Sequence, residues 1–436
     1  MYNAYKTTAI FREFGTEEEN MFIRKSTAAL TAALLLFSVI PQSAAAEETA
    51  QGFALEQHTA REIRAFFASH PWEMQNRTVY AETPSLTAPY SAGALSEETQ
   101  QEALNCINCI RYTAGLPADL TVKEEYAELA QAAALINCLN GVLDHTPEKP
   151  DGMDTPLFQL GKLGSGSSNL SKGRSALCQS VIQGFIGDSD DKNLPVLGHR
   201  RWILNPELLY TGFGQTERYY AVYVHDFNRT EPFTGDYIAW PPQNMPYFLY
   251  SSGGRYAFSV SLGSRYDTAD PGTVTVDIRS EALGTTYHLD GNCTDFNYYL
   301  RVSTEMYGIA NCLIFYPGQI FPENDTVTVS IGGITKNGEP APLSYTIAFF
   351  TMDPKMRGDC NLDGDVSVDD AQAALTAYTE TVAGKADGLN DAQRRTADVN
   401  EDSCVSVEDA QYILKYYVSN SVAGSGLKWE ELLGQA

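Results

Sequence analysis

A multidomain α+β chain is what this sequence predicts, and three patterns predict it. Apolar residues recur at helical spacing between residues 97 and 185, they alternate at period two between 258 and 349, and a segment beginning at Asp359 returns at a fixed offset of 39 residues. A length of 436 residues exceeds one ordinary core and suggests about two to four domains. In chain order the expectation is a mixed helical and sheet domain, an all-β sandwich, and a small all-α pair of acidic loops.

The leader comes first. Met21 opens a run with Arg24 and Lys25, followed by an apolar stretch from Ala28 to Ile40 and then Pro41-Gln42-Ser43-Ala44-Ala45-Ala46. A positive start, a short apolar centre and a small-residue cleavage site read as a secretory signal peptide cut near Ala46. Residues 1–46 are therefore expected to be a leader, with Met21 the true start, because Glu17, Glu18 and Glu19 suit no leader. The apolar stretch is too short to span a bilayer and no later one is longer, so a secreted protein without a membrane span is expected. A net charge of −25 argues against nucleic acid and anionic membranes, since Lys and Arg to neutralise phosphate are scarce. Eight cysteines in an exported chain suggest disulfides within three groups: Cys106, Cys109, Cys138 and Cys178; Cys293 and Cys312; Cys360 and Cys404. Their connectivity stays open.

Residues 47–96 read as an N-terminal arm with one short helix around Ala60–Ala68 and then a Pro-rich extended stretch. Two helices are expected between Ser96 and Leu143. The first carries Leu104, Ile107 and Ile110 and stops at Ala114-Gly115-Leu116-Pro117; the second carries Tyr126, Leu129, Ala130, Ala133 and Ile136. Gly164-Ser165-Gly166-Ser167-Ser168 reads as a loop, and a third helix is expected over Arg174–Phe185. From about Phe227 to residue 353 the pattern becomes strands, with Phe258, Val260 and Leu262, Val274, Val276 and Ile278, Val327, Val329 and Ile331, and Tyr345, Ile347 and Phe349 all alternating with polar residues. Asn337-Gly338 is a hairpin signal. The spacing suggests a β-sandwich. Trp240, Tyr247 and Tyr250 are the residues that could give it an exposed aromatic row for carbohydrate, although Trp240-Pro241-Pro242 reads better as an interdomain strap.

The repeat carries the sharpest chemistry. Asp359, Asn361, Asp363, Asp365, Ser367 and Asp370 occupy loop positions 1, 3, 5, 7, 9 and 12, and Asp398, Asn400, Asp402, Cys404, Ser406 and Asp409 occupy them in the second copy. Side-chain oxygens at 1, 3, 5, 9 and 12, with a backbone carbonyl at 7, suit a hard cation that takes six to eight oxygens, which is the arithmetic of an EF-hand calcium loop. Two Ca²⁺ ions are expected. Each loop precedes an apolar helix face, Ala371, Ala374, Leu375 and Tyr378 in one and Ala410, Ile413, Leu414 and Tyr417 in the other. Neither loop shows a helix entering it. Position 6 is Gly364 in the first loop and Ser403 in the second, where a positive φ is needed, so the second site is expected to be the weaker.

Within residues 354–424 the stretch from Asp359 to Val422 resembles a type I dockerin, and 425–436 read as a tail. The resemblance implies docking onto a cohesin module of a scaffolding protein in a cellulosome-like extracellular assembly. It also places partner choice at loop positions 10 and 11, here Val368 and Asp369, then Val407 and Glu408. These near-identical pairs leave two-way binding open.

Residues 97–226 carry Asn108-Cys109-Ile110-Arg111-Tyr112-Thr113-Ala114-Gly115-Leu116, Leu129-Ala130-Gln131-Ala132-Ala133, Leu143-Asp144-His145, Gly198-His199-Arg200-Arg201-Trp202-Ile203-Leu204-Asn205-Pro206 and Thr211-Gly212-Phe213-Gly214. These resemble the bacterial form of the CAP superfamily (cysteine-rich secretory, antigen 5 and pathogenesis-related proteins). The resemblance implies an α-β-α sandwich with His145 and His199 facing one groove, a pair that could hold Zn²⁺. It also implies two acids. Where relatives carry Glu in a Gly-Glu-Asn turn this chain reads Ser167-Ser168-Asn169, and Asp188, Asp190 and Asp191 are the candidates for the other. A groove short of carboxylates is a poor general acid–base site. A binding or accessory role is therefore expected, with a dockerin-borne hydrolase acting on a peptide, lipid or polysaccharide as the alternative. Arg200 and Arg201 are expected to cap carbonyls or pair with local acids.

Overall fold

Thr59 starts the first helix, α1 (Ala60–Ser69), with a reciprocal cap in which its hydroxyl accepts from Glu62 N and the Glu62 carboxylate accepts from Thr59 N. The computed structural model describes residues 52–434 apart from 253–256, 324, 353–356 and 401, so the leader through Ala46 and the Met21 start lie outside the described residues. The arm is not loose. Ile63 is wholly buried, and Phe66 stacks on Tyr112 of α2 (Glu97–Thr113) with ring centroids 4.0 Å apart.

Ser96 caps α2 by accepting from Thr99 N, and the helix ends at Ala114 with Gly115 at φ +76°. α3 (Glu124–Asn140) closes on Gly141 in the left-handed region. The expected Gly/Ser loop is a correction: Gly164 to Ser167 end a helix, α4 (Thr155–Ser167), capped by Asp154. Glycine is there for closeness rather than for turning. A Cβ on Gly164 would stand 1.9 Å from the Leu129 carbonyl oxygen, and one on Gly161 2.3 Å from Ile136 Cδ1, so only bare backbone lets α4 lie on α3. Next, α5 (Leu177–Gln179) runs on as a π-helix over Ser180–Ile186, a later start than the expected Arg174, and α6 spans Gly198–Ile203.

Three antiparallel strands, β1 (Ser168–Lys172), β2 (Phe213–Thr216) and β3 (Tyr219–Tyr223), form a sheet in the order β1-β3-β2. Alternate residues of β3 serve opposite faces. Tyr220 and Val222 join a core with Ile107, Ile110, Val181 and Phe185, whereas Ala221 packs with Ala130 and Ala133 of α3. Arg111 ties α2 to the chain leaving α6, donating from its wholly buried guanidinium to the carbonyls of Pro117, Ile203 and Asn205.

Two five-stranded sheets come next. One contains β4 (Tyr237–Trp240), β6 (Phe258–Leu262), β9 (Thr294–Asp295), β10 (Tyr298–Ser303) and β11 (Cys312–Tyr316) in the order β9-β10-β11-β6-β4. The other contains β5 (Asn244–Pro246), β7 (Thr275–Ser280), β8 (Thr285–Asp290), β12 (Thr326–Gly332) and β13 (Leu343–Phe350) in the order β8-β7-β12-β13-β5, with β5 parallel to β13. The alternating residues predicted to face inward do so, and Phe258, Val260, Val276, Ile278, Val327, Val329 and Ile347 are wholly buried in one core. The aromatic-row expectation is overturned here: Trp240 and Tyr250 are only 4% and 2% exposed, and Tyr250 packs 4.5 Å from Phe349. Trp240 instead lines a small cleft together with Ile186 and Arg200.

The last module packs α7 (Val368–Val382) against α9 (Val407–Tyr417) over Cys360, Val366, Ala371, Ala374, Val399, Ala410 and Ile413. Two expectations change. A helix, α8 (Asp391–Ala397), does enter the second loop, held by reciprocal bonds between Asn390 and Gln393, and Leu414 faces out at 43% exposure rather than inward. The tail is also part of the module, because Trp429 stacks on Tyr416 at 4.1 Å and covers Gly358, where a Cβ would stand 2.6 Å from the indole. All eight cysteines are free thiols, so the expected disulfides are not formed; the buried ones, such as Cys109, Cys312 and Cys360, pack as small apolar side chains.

Candidate functional site

His145, after α3, and His199, on α6, line one cavity of about 240 Å³. Each ring has its Nδ1 committed. His145 Nδ1 is 2.7 Å from the Ser165 carbonyl oxygen, and His199 Nδ1 is 2.8 Å from Asp188 Oδ1. Fixing Nδ1 in this way sets the tautomer and leaves Nε2 for a ligand, the arrangement of metal-binding imidazoles. On donor chemistry the pair fits a zinc ion, which would take His145 and His199. Among the described residues no three His, Cys, Asp or Glu side chains converge as a finished metal cage.

The three acid candidates separate. Asp188 is wholly buried beside His199, accepting from its backbone N–H at 3.0 Å and from its ring, so it orients the imidazole without lining the cavity. Burial alone would depress the His199 pKa, but the charge and hydrogen bond of Asp188 outweigh it and the net shift is upward. Asp190 caps a turn, taking the N–H groups of Lys192 and Asn193 and the amide of Asn193. Asp191 is exposed and lines no part of the groove.

Two further residues line the groove: His225, which the sequence suggests only as a structural or surface histidine, and Tyr307, which nothing in the sequence marks. His225 lines the same cavity, its ring centroid 4.5 Å from that of the Trp202 indole; burial, reinforced by nearby His145, pulls its pKa down to about 4. Tyr307 comes from the loop between β10 and β11, so the sandwich supplies a wall of the groove. The motif around His199 explains how. A Cβ on Gly198 would stand 3.3 Å from the Tyr307 ring, and Arg201 lies under that ring, 5.4 Å from its centroid. Arg201 also donates to Ser303 Oγ and to the carbonyls of Val196, Glu305 and Ile309, while Arg200 donates to those of Ile186 and Ala257. Both arginines therefore cap carbonyls, as expected, and in doing so clamp the sandwich to the helical module. Ser168, also on the cavity wall, is 4% exposed, and its hydroxyl has no protein partner. An unpaired hydroxyl there is a group that a polar ligand would satisfy.

The acidic loops match each other bond for bond. Asp359 accepts from Asp363 N at 3.0 Å and Gly364 N at 2.8 Å; Asp398 accepts from Asp402 N at 3.0 Å and Ser403 N at 2.8 Å. Asp370 receives Ser367 N, and Asp409 receives Ser406 N, both at 2.8 Å. Gly364 sits at φ +94° and Ser403 at φ +72°, the left-handed backbone anticipated at position 6. Asp359, Asp363 and Asp370 are almost fully buried, and burial, with repulsion from Asp370 and Asp363, raises the Asp359 pKa to about 6. If a calcium ion bound here, the Asp359, Asp363 and Asp370 carboxylates would hold it together with the neutral oxygens of Asn361, Ser367 and the Asp365 carbonyl. Val368 and Val407 are exposed at 52% and 42%, and Asp369 and Glu408 also stand on the surface. No family model matches this chain, and no curated protein resembles it significantly.

Proposed function

We propose that this is a secreted accessory protein that attaches to an extracellular scaffold through a calcium-loaded, dockerin-like module. Its first module, with a three-stranded sheet between helices on both faces, is read as a CAP-type α-β-α sandwich that binds a ligand in the histidine groove. One observation carries the reading: two loops 39 residues apart hold the same bonds at the same positions, including the left-handed residue at position 6. Two copies related in this way each offer a cation site followed by a helix whose first turn carries Val-Asp or Val-Glu on the surface. Calcium would hold each loop in shape and so fix that turn for a cohesin partner. The test is capture from the secreted fraction in calcium and in chelator; a cohesin retained only with calcium supports the reading, and its equal retention in chelator removes it.

The Asp188–His199 pair keeps the hydrolase alternative in view, because a carboxylate-held imidazole in a cavity is general acid–base equipment. Metal-dependent hydrolysis lost in His199→Ala would favour that alternative.

A further inference from the structure

The two acidic loops keep the same internal bonds but not the same neighbours. At loop position 5, Asp363 receives Asp365 N on Oδ1 and the Asn361 amide on Oδ2, and Asp402 receives Cys404 N and the Asn400 amide on the matching oxygens. Yet Asp363 is 3% exposed, whereas Asp402 stands on the surface. Two arginines of α1 lie against the first loop. Arg61 places Nε 2.8 Å from Asp363 Oδ2, and Arg64, one turn on, donates from Nη1 to the Asp363 carbonyl at 3.0 Å. Arg64 is anchored on its other side, where Nε donates to the Thr351 carbonyl at 3.0 Å and the guanidinium lies 4.9 Å over the Phe350 ring. A Cβ on Gly364 would stand 1.6 Å from Arg64 Nη1, so position 6 of the first loop is bare backbone where the arginine passes; the second loop has Ser403 there. Ile63 and Phe66 hold the same helix on the first module, so the two arginines join that module to the last.

We infer that Arg61 and Arg64 are a resident counter-charge of the first loop, which sets that loop's calcium affinity below what its own ligands would give and couples it to the seating of α1. The inference rests on the calcium reading proposed above. Asp363 is where the two meet, because its carboxylate is both the Arg61 partner and the position-5 ligand. A cation in contact with a ligand carboxylate offsets its charge and repels a second cation beside it. Arg61 is 46% exposed, so water and salt weaken its share, while the part-buried Arg64 is screened less. Without an ion, the same guanidinium groups offset the repulsion among Asp359, Asp363 and Asp370 and keep the first loop in its binding shape. The second loop's position-5 carboxylate is open to water, so its affinity is independent of α1. Coupling of this kind is reciprocal: by whatever factor the arginines weaken the ion, α1 is held less firmly on the loaded loop.

Asp409→Ala in the full chain removes the ligand that closes the second loop and leaves the first loop's step to be read by calcium calorimetry after chelator treatment. Adding Arg61→Gln and Arg64→Gln to that chain is expected to tighten the step about 10-fold at low ionic strength, and by less in high salt as screening grows. The same two glutamines in an Asp370→Ala chain, where only the second loop closes, should leave its step unchanged. In the unsubstituted chain, amide exchange over residues 61–69 should run about twofold or more faster with calcium than in chelator, because the helix is held less firmly. That measurement needs no substitution and stands even where the arginine variant fails to fold. A first-loop affinity that does not rise in the glutamine chain, an equal gain at the second loop, or exchange over α1 that is unchanged or slower with calcium overturns the inference. An Asp409→Ala chain that takes up no calcium with either arginines or glutamines overturns the calcium reading itself, and the inference with it.

Discussion

Asp188 holds His199 by two atoms at once, its Oδ1 2.8 Å from the ring Nδ1 and its Oδ2 3.0 Å from the main-chain nitrogen. A side chain gripped in this way has one ring nitrogen left to offer, and His145 is limited similarly by the Ser165 carbonyl.

Zinc uptake by the calcium-saturated chain should therefore depend on both imidazoles. His145→Ala or His199→Ala should each abolish it, and Asp188→Asn should weaken it about 10-fold, because the orienting partner is lost while the ligand remains. Calorimetric zinc titration checks this. Uptake unchanged in both histidine variants would reduce them to structural residues.

The clamp between helical module and sandwich rests on Arg200 and Arg201, both nearly fully buried. Arg201→Met removes four donated bonds and leaves carbonyls unpaired. A loss of about 3 kcal/mol is expected, read as a lower melting temperature, with quenching changes at Trp202 as the Tyr307 loop loosens. An unchanged melting temperature would show that the modules do not depend on this clamp.

Gly164→Ala is a sharper test of packing than its size suggests. The added methyl would meet the Leu129 carbonyl oxygen at 1.9 Å, and backbone cannot yield as a side chain can. A destabilisation of about 3 kcal/mol is expected in denaturant unfolding, whereas a residue in a free loop would lose almost nothing.

Much of the architecture was legible because its signals are local. Ser96 before an apolar helical period, alternation through Val327, Val329 and Ile331, and a repeated ligand spacing each act over a few residues. The features that stayed hidden depend on neighbours far along the chain. Gly161 and Gly164 look like loop residues until α3 is laid against them. Tyr307 belongs to a sandwich loop and enters the groove only through Arg201, 106 residues earlier in the chain. Choosing Asp188 over Asp190 and Asp191 required the turn that spends Asp190 on its own backbone. Leu414 fits an inward helical period equally well as an outward one, and only the position of α7 decides.

Ser403→Gly isolates the cost of the left-handed residue in the second loop. Its φ of +72° is one that a non-glycine residue adopts at a penalty of about 1 kcal/mol. The variant should bind calcium at the second site more tightly, by about fivefold, without touching the first. No gain would mean that the serine side chain repays the strain locally.

The most direct measurement is calorimetric titration of calcium into the full chain after it has been stripped by chelator. Two ions per chain are expected, with the weaker step lost in Asp409→Ala and the tighter one in Asp370→Ala, since each carboxylate closes its own loop. Failure of the chain to take up calcium, or uptake that persists in the doubly substituted protein, would contradict the reading of these repeats as calcium loops.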